Sequence, residues 1–420
     1  MIEDAYIKKK VKDYEIYYSE LNKEQYDFTN KDINFISNNE NSGFGVRILK
    51  NKRIGFASTN TNNLKKCIDK AIEICSLNNE NNNFKNFALP SEKYTNVNSF
   101  NKTLIDFDGE DIKDFISEIR KENVNITEAI YLKTEGVVKI INSNGIDKES
   151  KFCTNSLSLE IKEDNNSIYF GIDDVFPINI DIVKEWIERL KNQKDKKKIK
   201  NFQGDVLFSE ETLASLLDNI LSYNLSGENI FYNRSGFCNK INKKVFSEKI
   251  TIIDEPLTLN RVNTRSFDAE GVACKNLSLI ENGILKNYLF DSYYGNLMNK
   301  NGGNTFRGIF SLPFISLSNI TMKKGNKNDL VREIDRGLIV NGLMGVHTMD
   351  AVSGNFSLAV SEGFFVKNGA IECALKDCMI AGNFFEMMNN VLNVGNSLKN
   401  VSSGFYLPKV LCSNVNVIGN

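Results

Sequence analysis

Hydrophobic and polar positions along the chain fall into short, changing rhythms. Phe44, Val46 and Ile48 alternate with small or polar neighbours at a period of two, and Lys50-Asn51-Lys52 reads as a turn into a strand at Ile54–Ser58. Tyr14–Ser19 and Asp32–Ser37 are further β-prone runs. The rhythm then becomes helical. Leu64, Cys67, Ile68, Ala71, Ile72 and Cys75 share one helix face, which predicts a helix over 62–76 with Thr61 or Asn62 as N-cap. Cys67 and Cys75 read there as core residues. The polar tract Asn78–Asn83 reads as a loop.

A second unit starts near Asp108. Ile112, Phe115, Ile116 and Ile119 predict a helix over 109–121, followed by strands at Ala129–Leu132 and Val137–Asn142. Asn144-Gly145 signals a hairpin, since both residues tolerate the positive φ of a type I′ turn. Strands Leu157–Ile161 and Ile168–Gly171 flank the polar turn Asp164-Asn165-Asn166. Val183, Trp186, Ile187 and Leu190 predict a helix over 181–191, which runs into KNQKDKKKIK at 191–200. That basic run is either a solvated linker or a phosphate-binding patch. The domain boundary is placed there, giving an N-terminal domain, 1–200, of two sub-units (about 1–100 and 101–200), and a C-terminal domain, 201–420.

The second half opens with a helix carrying Leu213, Leu216, Leu217, Ile220 and Leu221. Short strands punctuated by glycine follow: Val245–Ile253, Leu277–Leu289, Phe314–Met322, Gly337–Val340, Phe364–Val366 and Val415–Ile418. Asn282-Gly283 and Asn368-Gly369 each sit between apolar strands, so this half reads as a twisted antiparallel barrel. The fold class expected is α+β: an N-terminal α/β domain of antiparallel strands with flanking helices, and a C-terminal β-rich, barrel-like domain.

Composition narrows the function. The 420 residues are 41% hydrophobic and 25% charged, which excludes wholesale disorder. Fifty-two basic residues against fifty-three acidic ones leave no basic footprint, so no nucleic-acid partner is expected. No apolar run approaches the roughly 18 residues of a membrane helix. The start, MIEDAYIKKKVKDYE, is too charged for a signal peptide, and the eight scattered cysteines read as reduced thiols, so the expected location is the cytoplasm. Most decisive is the single histidine, His347, which excludes an H-E-x-x-H zinc helix or a three-histidine site.

Candidate chemistry is correspondingly thin. Gly302-Gly303-Asn304 and Gly342-Leu-Met-Gly345 lack the strand-to-helix context of a phosphate loop and read as turns. Cys373 and Cys378 stand too far apart for a usual zinc motif, and no second pair follows. His347, three residues before Asp350, is either a general base or a loop residue with an incidental neighbour.

The segment from Gly337 to Val391 carries a more specific signal. Ser353-Gly354-Asn355-Phe356-Ser357, the hairpin Gly363–Gly369 and Ile380-Ala381-Gly382-Asn383 resemble, in order, the C-terminal signature of the TldD/PmbA family. Gly45-Val46-Arg47, Gly55-Phe56-Ala57-Ser58, Asn142-Ser143-Asn144-Gly145 and Phe267-Asp268-Ala269-Glu270-Gly271-Val272 are further marks, running in family order from about residue 34 to the last strand. The resemblance implies one of two branches, which pair as heterodimeric zinc peptidases. The TldD branch carries H-E-x-x-x-H on a helix near the start of the C-terminal domain and a cysteine ligand near the C-terminus. Here the corresponding helix reads Glu211-Thr-Leu-Ala-Ser-Leu-Leu-Asp218-Asn219, and Ser402-Ser403-Gly404 stands near the cysteine's place. The resemblance is therefore to the PmbA/TldE branch, with no catalytic or metal-ligating residue and no cofactor in this chain.

Such a subunit implies a cytosolic peptidase that processes or degrades unfolded peptides, with zinc supplied by a TldD-like partner. An extended peptide would dock by adding a strand to a sheet edge, and the expected contributors are Gly342, Gly345, His347, Ser353, Gly354, Asn355, Phe364, Asn368 and Gly369. These glycines serve either close backbone approach or tight turns. The alternatives are a homodimeric peptide-binding or scaffold protein without peptidase activity, and an autonomous hydrolase using a cysteine with His347.

Overall fold

In the computed structural model, residues 5–61, 63–122, 124–164 and 166–419 are described. The N-cap candidate Asn62 and the turn residue Asn165 lie outside the described residues, as does the start of the charged N-terminal segment. The protein is mixed α+β. Its N-terminal sheet has the order β3-β2-β1-β4-β5-β6, where β1 is Asp13–Phe28, β2 Ile33–Lys50, β3 Arg53–Thr59, β4 Asn125–Asn142, β5 Asp147–Glu163 and β6 Asn166–Asp174. Every pairing in it is antiparallel.

Several of these strands are longer than the hydrophobic pattern announced. The expected strands at 32–37 and 44–48 are one 18-residue strand, and those at 129–132 and 137–142 are another. The polar stretch Ser37-Asn-Asn-Glu-Asn-Ser42 pairs along β1 although it is largely exposed, so neighbouring backbone hydrogen bonds carry it rather than side-chain burial. Hairpin turns follow their residues. Asn51 and Lys52, Asn282 and Gly283, and Asn368 and Gly369 all have positive φ. At Asn144-Gly145 only the glycine does, so that turn is not type I′; the Asn142 side chain closes it by accepting from Asn144 and Ile146.

Three helices cover one face of the sheet. Helix Leu64–Leu77 is capped by Asn63 and buries Cys67, Ile68, Ala71 and Cys75 against β1, β2 and β3. Helices Gly109–Lys121 and Ile180–Lys191 bury Ile112, Phe115, Ile116, Val183, Trp186 and Leu190 against β4, β5 and β6.

Beyond residue 201 the chain closes a five-stranded barrel. Strand Phe202–Phe208 runs parallel to Arg336–Met344, and the ring continues antiparallel through Asn355–Lys367, Met379–Asn383 and Val410–Ile418 back to Phe202–Phe208. The leucine-rich helix, Glu210–Asn224, begins directly after the first barrel strand with Ser209 as N-cap. A long insertion between the first two barrel strands builds most of a second six-stranded sheet around Ile252–Asp254 and Ile320–Met322. Two expected strands shrink there: Val245–Ile253 to Ile252–Asp254, and Phe314–Met322 to two short pieces, because most of their backbone bonds go to loops.

Candidate functional site

A cavity of about 700 Å³ lies where β6, helix Ile180–Lys191, the barrel and helix Glu210–Asn224 converge. β6 is an edge strand. It pairs with β5 on one side and with no strand on the other among the described residues, and Ser167 to Ile172 line the cavity. Phe170 and Trp186 stack at 4.6 Å in its wall.

The charge in the cavity is organised around Arg189. Its guanidinium forks onto Glu362 at 3.0 and 2.9 Å, donates to Glu211 at 2.9 Å, and lies over the Phe170 ring. Asn341 completes the Glu362 carboxylate with a bond at 3.0 Å. Glu211 sits in the first turn of its helix, where the helix dipole favours a negative charge, and Lys399 reaches it at 3.1 Å. Burial alone would raise the Glu211 carboxyl, but Arg189 and Lys399 outweigh it and hold the group at about 2.

This is also where the family resemblance locates a metal site. Glu211, Ser215 and Asp218 face the cavity from the helix, and Ser403 faces it from the segment that stands near the cysteine's place. The donor set does not fit zinc. No imidazole or thiolate is offered, and the Glu211 carboxylate is already paired with two cations. Among the described residues no group of three histidine, cysteine, aspartate or glutamate side chains could hold a metal ion.

The nine positions singled out in the sequence are divided by the fold. Gly342 lines the cavity, opposite Glu362 on the neighbouring barrel strand. Gly345, at φ +85°, begins the short turn that carries the exposed His347. Ser353, Gly354 and Asn355 form a turn held by other marks of the signature. Asp350 accepts from Ser353 Oγ at 2.6 Å, and Asn383 Nδ2 donates to Ser353 O and Asn355 Oδ1. Those bonds to Ser353 place the exposed Asp350 carboxyl below its usual range. Phe364 is buried on the barrel strand Asn355–Lys367, and Asn368-Gly369 turn the hairpin that follows that strand. Arg189, Glu362 and Lys399 were not singled out in the sequence. The available signal was an acidic residue inside an apolar strand, at Glu362 in SEGFFV.

The other marks meet far from this cavity. Arg47 forks onto Glu15 and reaches Glu270 at 3.0 Å, and Arg307 joins Glu15 at 2.7 Å, all of them buried. The two arginine-bearing segments thus lock β1 and β2 to the C-terminal half.

The sequence as a whole matches the PmbA/TldA metallopeptidase C-terminal domain over residues 202–419 and domain 1 of the same family over 14–75. The chain belongs to the TldD/PmbA family. An uncharacterised protein of Methanocaldococcus jannaschii is 29% identical over 382 residues, covering 87% of each chain. The metalloprotease PmbA homologue of Buchnera aphidicola, subspecies Acyrthosiphon pisum, is 26% identical over 315 residues, 72% of this chain and 68% of its own length. Among solved structures, TldE from Thermococcus kodakarensis superposes with a TM-score of 0.90 at 23% identity, covering 98% of both chains, and so shares the TldD/PmbA fold.

Proposed function

We propose that this chain is the zinc-free, PmbA/TldE-type subunit of a two-part cytoplasmic metallopeptidase that processes or degrades unfolded peptides. The observation that carries the reading is the ion cluster of Arg189, Glu211, Glu362 and Lys399. On the helix that bears the zinc ligands in the TldD branch, this chain directs its carboxylate to an arginine and a lysine. A TldD-like partner then supplies the metal, its activated water and the general base. This subunit contributes peptide-binding surface: the free edge of β6 accepts an extended chain through main-chain hydrogen bonds, and Gly342 leaves room across the cavity.

The test is purification of a tagged chain from its own cells, followed by metal analysis and a peptide-cleavage assay. A co-purifying subunit carrying H-E-x-x-x-H, with about one zinc per heterodimer, is the expected result. The chain alone should hold no stoichiometric zinc and cleave nothing. Purification as a homodimer without such a subunit would favour a peptide-binding scaffold, and chelator-sensitive cleavage by the chain alone would overturn the branch assignment.

A further inference from the structure

A second cavity, of about 740 Å³, adjoins the first, and Ser361 lines both. Asn166, the first residue of β6, lines the second cavity, whereas Ser167 and its successors line the first. The free edge of β6 therefore leads from one cavity into the other.

The far wall comes from the basic segment after helix Ile180–Lys191. That segment is docked onto the barrel, not loose: Lys197 N donates to Ala374 O at 2.9 Å, and Lys376 N donates to Lys197 O at 3.0 Å. Two of its cations are already paired, Lys194 with Glu163 and Lys198 with Asp377, which argues against a phosphate patch. Two polar groups lining the cavity are not. Gln193 is 1% exposed, yet neither its amide nitrogen nor its amide oxygen has a partner among the described residues. Buried amides are otherwise almost always satisfied. Lys196 is half-buried and makes no ion pair among the described residues; burial lowers it from its ordinary value, and Glu362 opposes the shift.

A carboxamide with a free donor and a free acceptor matches one peptide unit. A lone ammonium three residues on, in a partly desolvated pocket, matches a carboxylate. We propose that this second cavity anchors the C-terminal end of an extended peptide, with the Gln193 carboxamide pairing with the last peptide unit and the Lys196 ammonium pairing with the terminal carboxylate. The proposal rests on the peptide-binding reading above and adds a preference for chains with a free C-terminus.

Fluorescence anisotropy on the isolated full chain tests it. The probes are an N-terminally fluorescein-labelled octapeptide of alanine, serine and glutamine with a free C-terminal carboxylate, and the same peptide as a C-terminal amide. The acid should bind about tenfold more tightly than the amide. Lys196→Met should abolish that preference. Gln193→Leu should weaken both forms several-fold while leaving the melting temperature unchanged or higher, because it removes two unpartnered buried groups. Equal affinity for acid and amide in the unmodified chain, or full binding by Gln193→Leu, would overturn the anchor alone. Binding of neither peptide would overturn the peptide reading itself.

Discussion

Glu15 and Arg307, 292 residues apart in sequence, meet at 2.7 Å with both side chains fully buried. The contact ties the central strand of the N-terminal sheet to the insertion of the C-terminal half. Arg47 shares the same carboxylate, and Glu270 shares Arg47, so the charges alternate through the interface. Burial pushes the Glu15 carboxyl up, but Arg47 and Arg307 outweigh it and lower it below the ordinary 4.5.

Glu15→Gln should therefore be costly. It leaves two buried guanidiniums short of charge, and removing one partner of a buried pair typically costs about 3–5 kcal/mol. Urea unfolding at pH 7 measures it, and a loss under 1 kcal/mol would show that water or rearrangement compensates. The native contribution of Glu15 is present above its ordinary value and fades as pH falls through its lowered one.

Asp291 behaves in the opposite sense. Burial, with Glu270 beside it, pushes its carboxyl from the ordinary 3.8 up to about 7. The folded state then prefers the protonated acid, so this group's stabilisation is full below its unfolded value and lost as pH rises through about 7. Asp291→Asn keeps an N-cap for the Tyr294 amide and removes the charge facing Glu270 and Asp268. The variant should melt higher than the parent at pH 8 and by a smaller margin at pH 5. A lower melting temperature at pH 8 would mean that Arg47 binds the Asp291 charge more strongly than burial opposes it.

Glu211→Gln tests the cavity wall. The parent should lose stability as pH falls from about 4.5 toward about 2, the range over which Glu211 takes up its proton. The variant should be weaker at pH 7 by about 2 kcal/mol and lose less between pH 4.5 and 3. Parallel pH profiles of the two proteins would show that Arg189 and Lys399 stabilise nothing through this carboxylate.

What the sequence revealed follows from what makes a local pattern. Helices 109–121 and 181–191 were legible because their apolar stripes are uninterrupted, and the Asn282-Gly283 and Asn368-Gly369 hairpins because their φ values are a property of two adjacent residues. The span of β2 was not, since residues 37–42 are polar and held by pairing with β1. The signature turn at Ser353–Asn355 was readable as a motif but not as a contact with Asn383. The cavity was illegible for the same reason: Arg189, Glu211, Glu362 and Lys399 come from four separate segments, and no spacing rule links them.

Two glycines, Gly342 on a barrel strand and Gly354 in a turn, separate docking from turn geometry. Gly354 has φ +80°, and a Cβ there would sit 2.6 Å from the Phe385 ring. Gly354→Ala should cost about 1–2 kcal/mol from backbone strain and crowding, with peptide affinity unchanged in the folded fraction. Gly342 has no positive φ; a Cβ there would meet only the tip of the Ser361 side chain closer than 3.0 Å, on the cavity wall. Gly342→Val should therefore leave the urea midpoint nearly unchanged while weakening binding of an extended octapeptide several-fold, because the branched side chain narrows the space across from β6. Titrations of both variants beside the parent decide it. If Gly342→Val binds as the parent does, the glycine serves the strand bulge at Val340–Leu343 and the peptide lies elsewhere on the subunit.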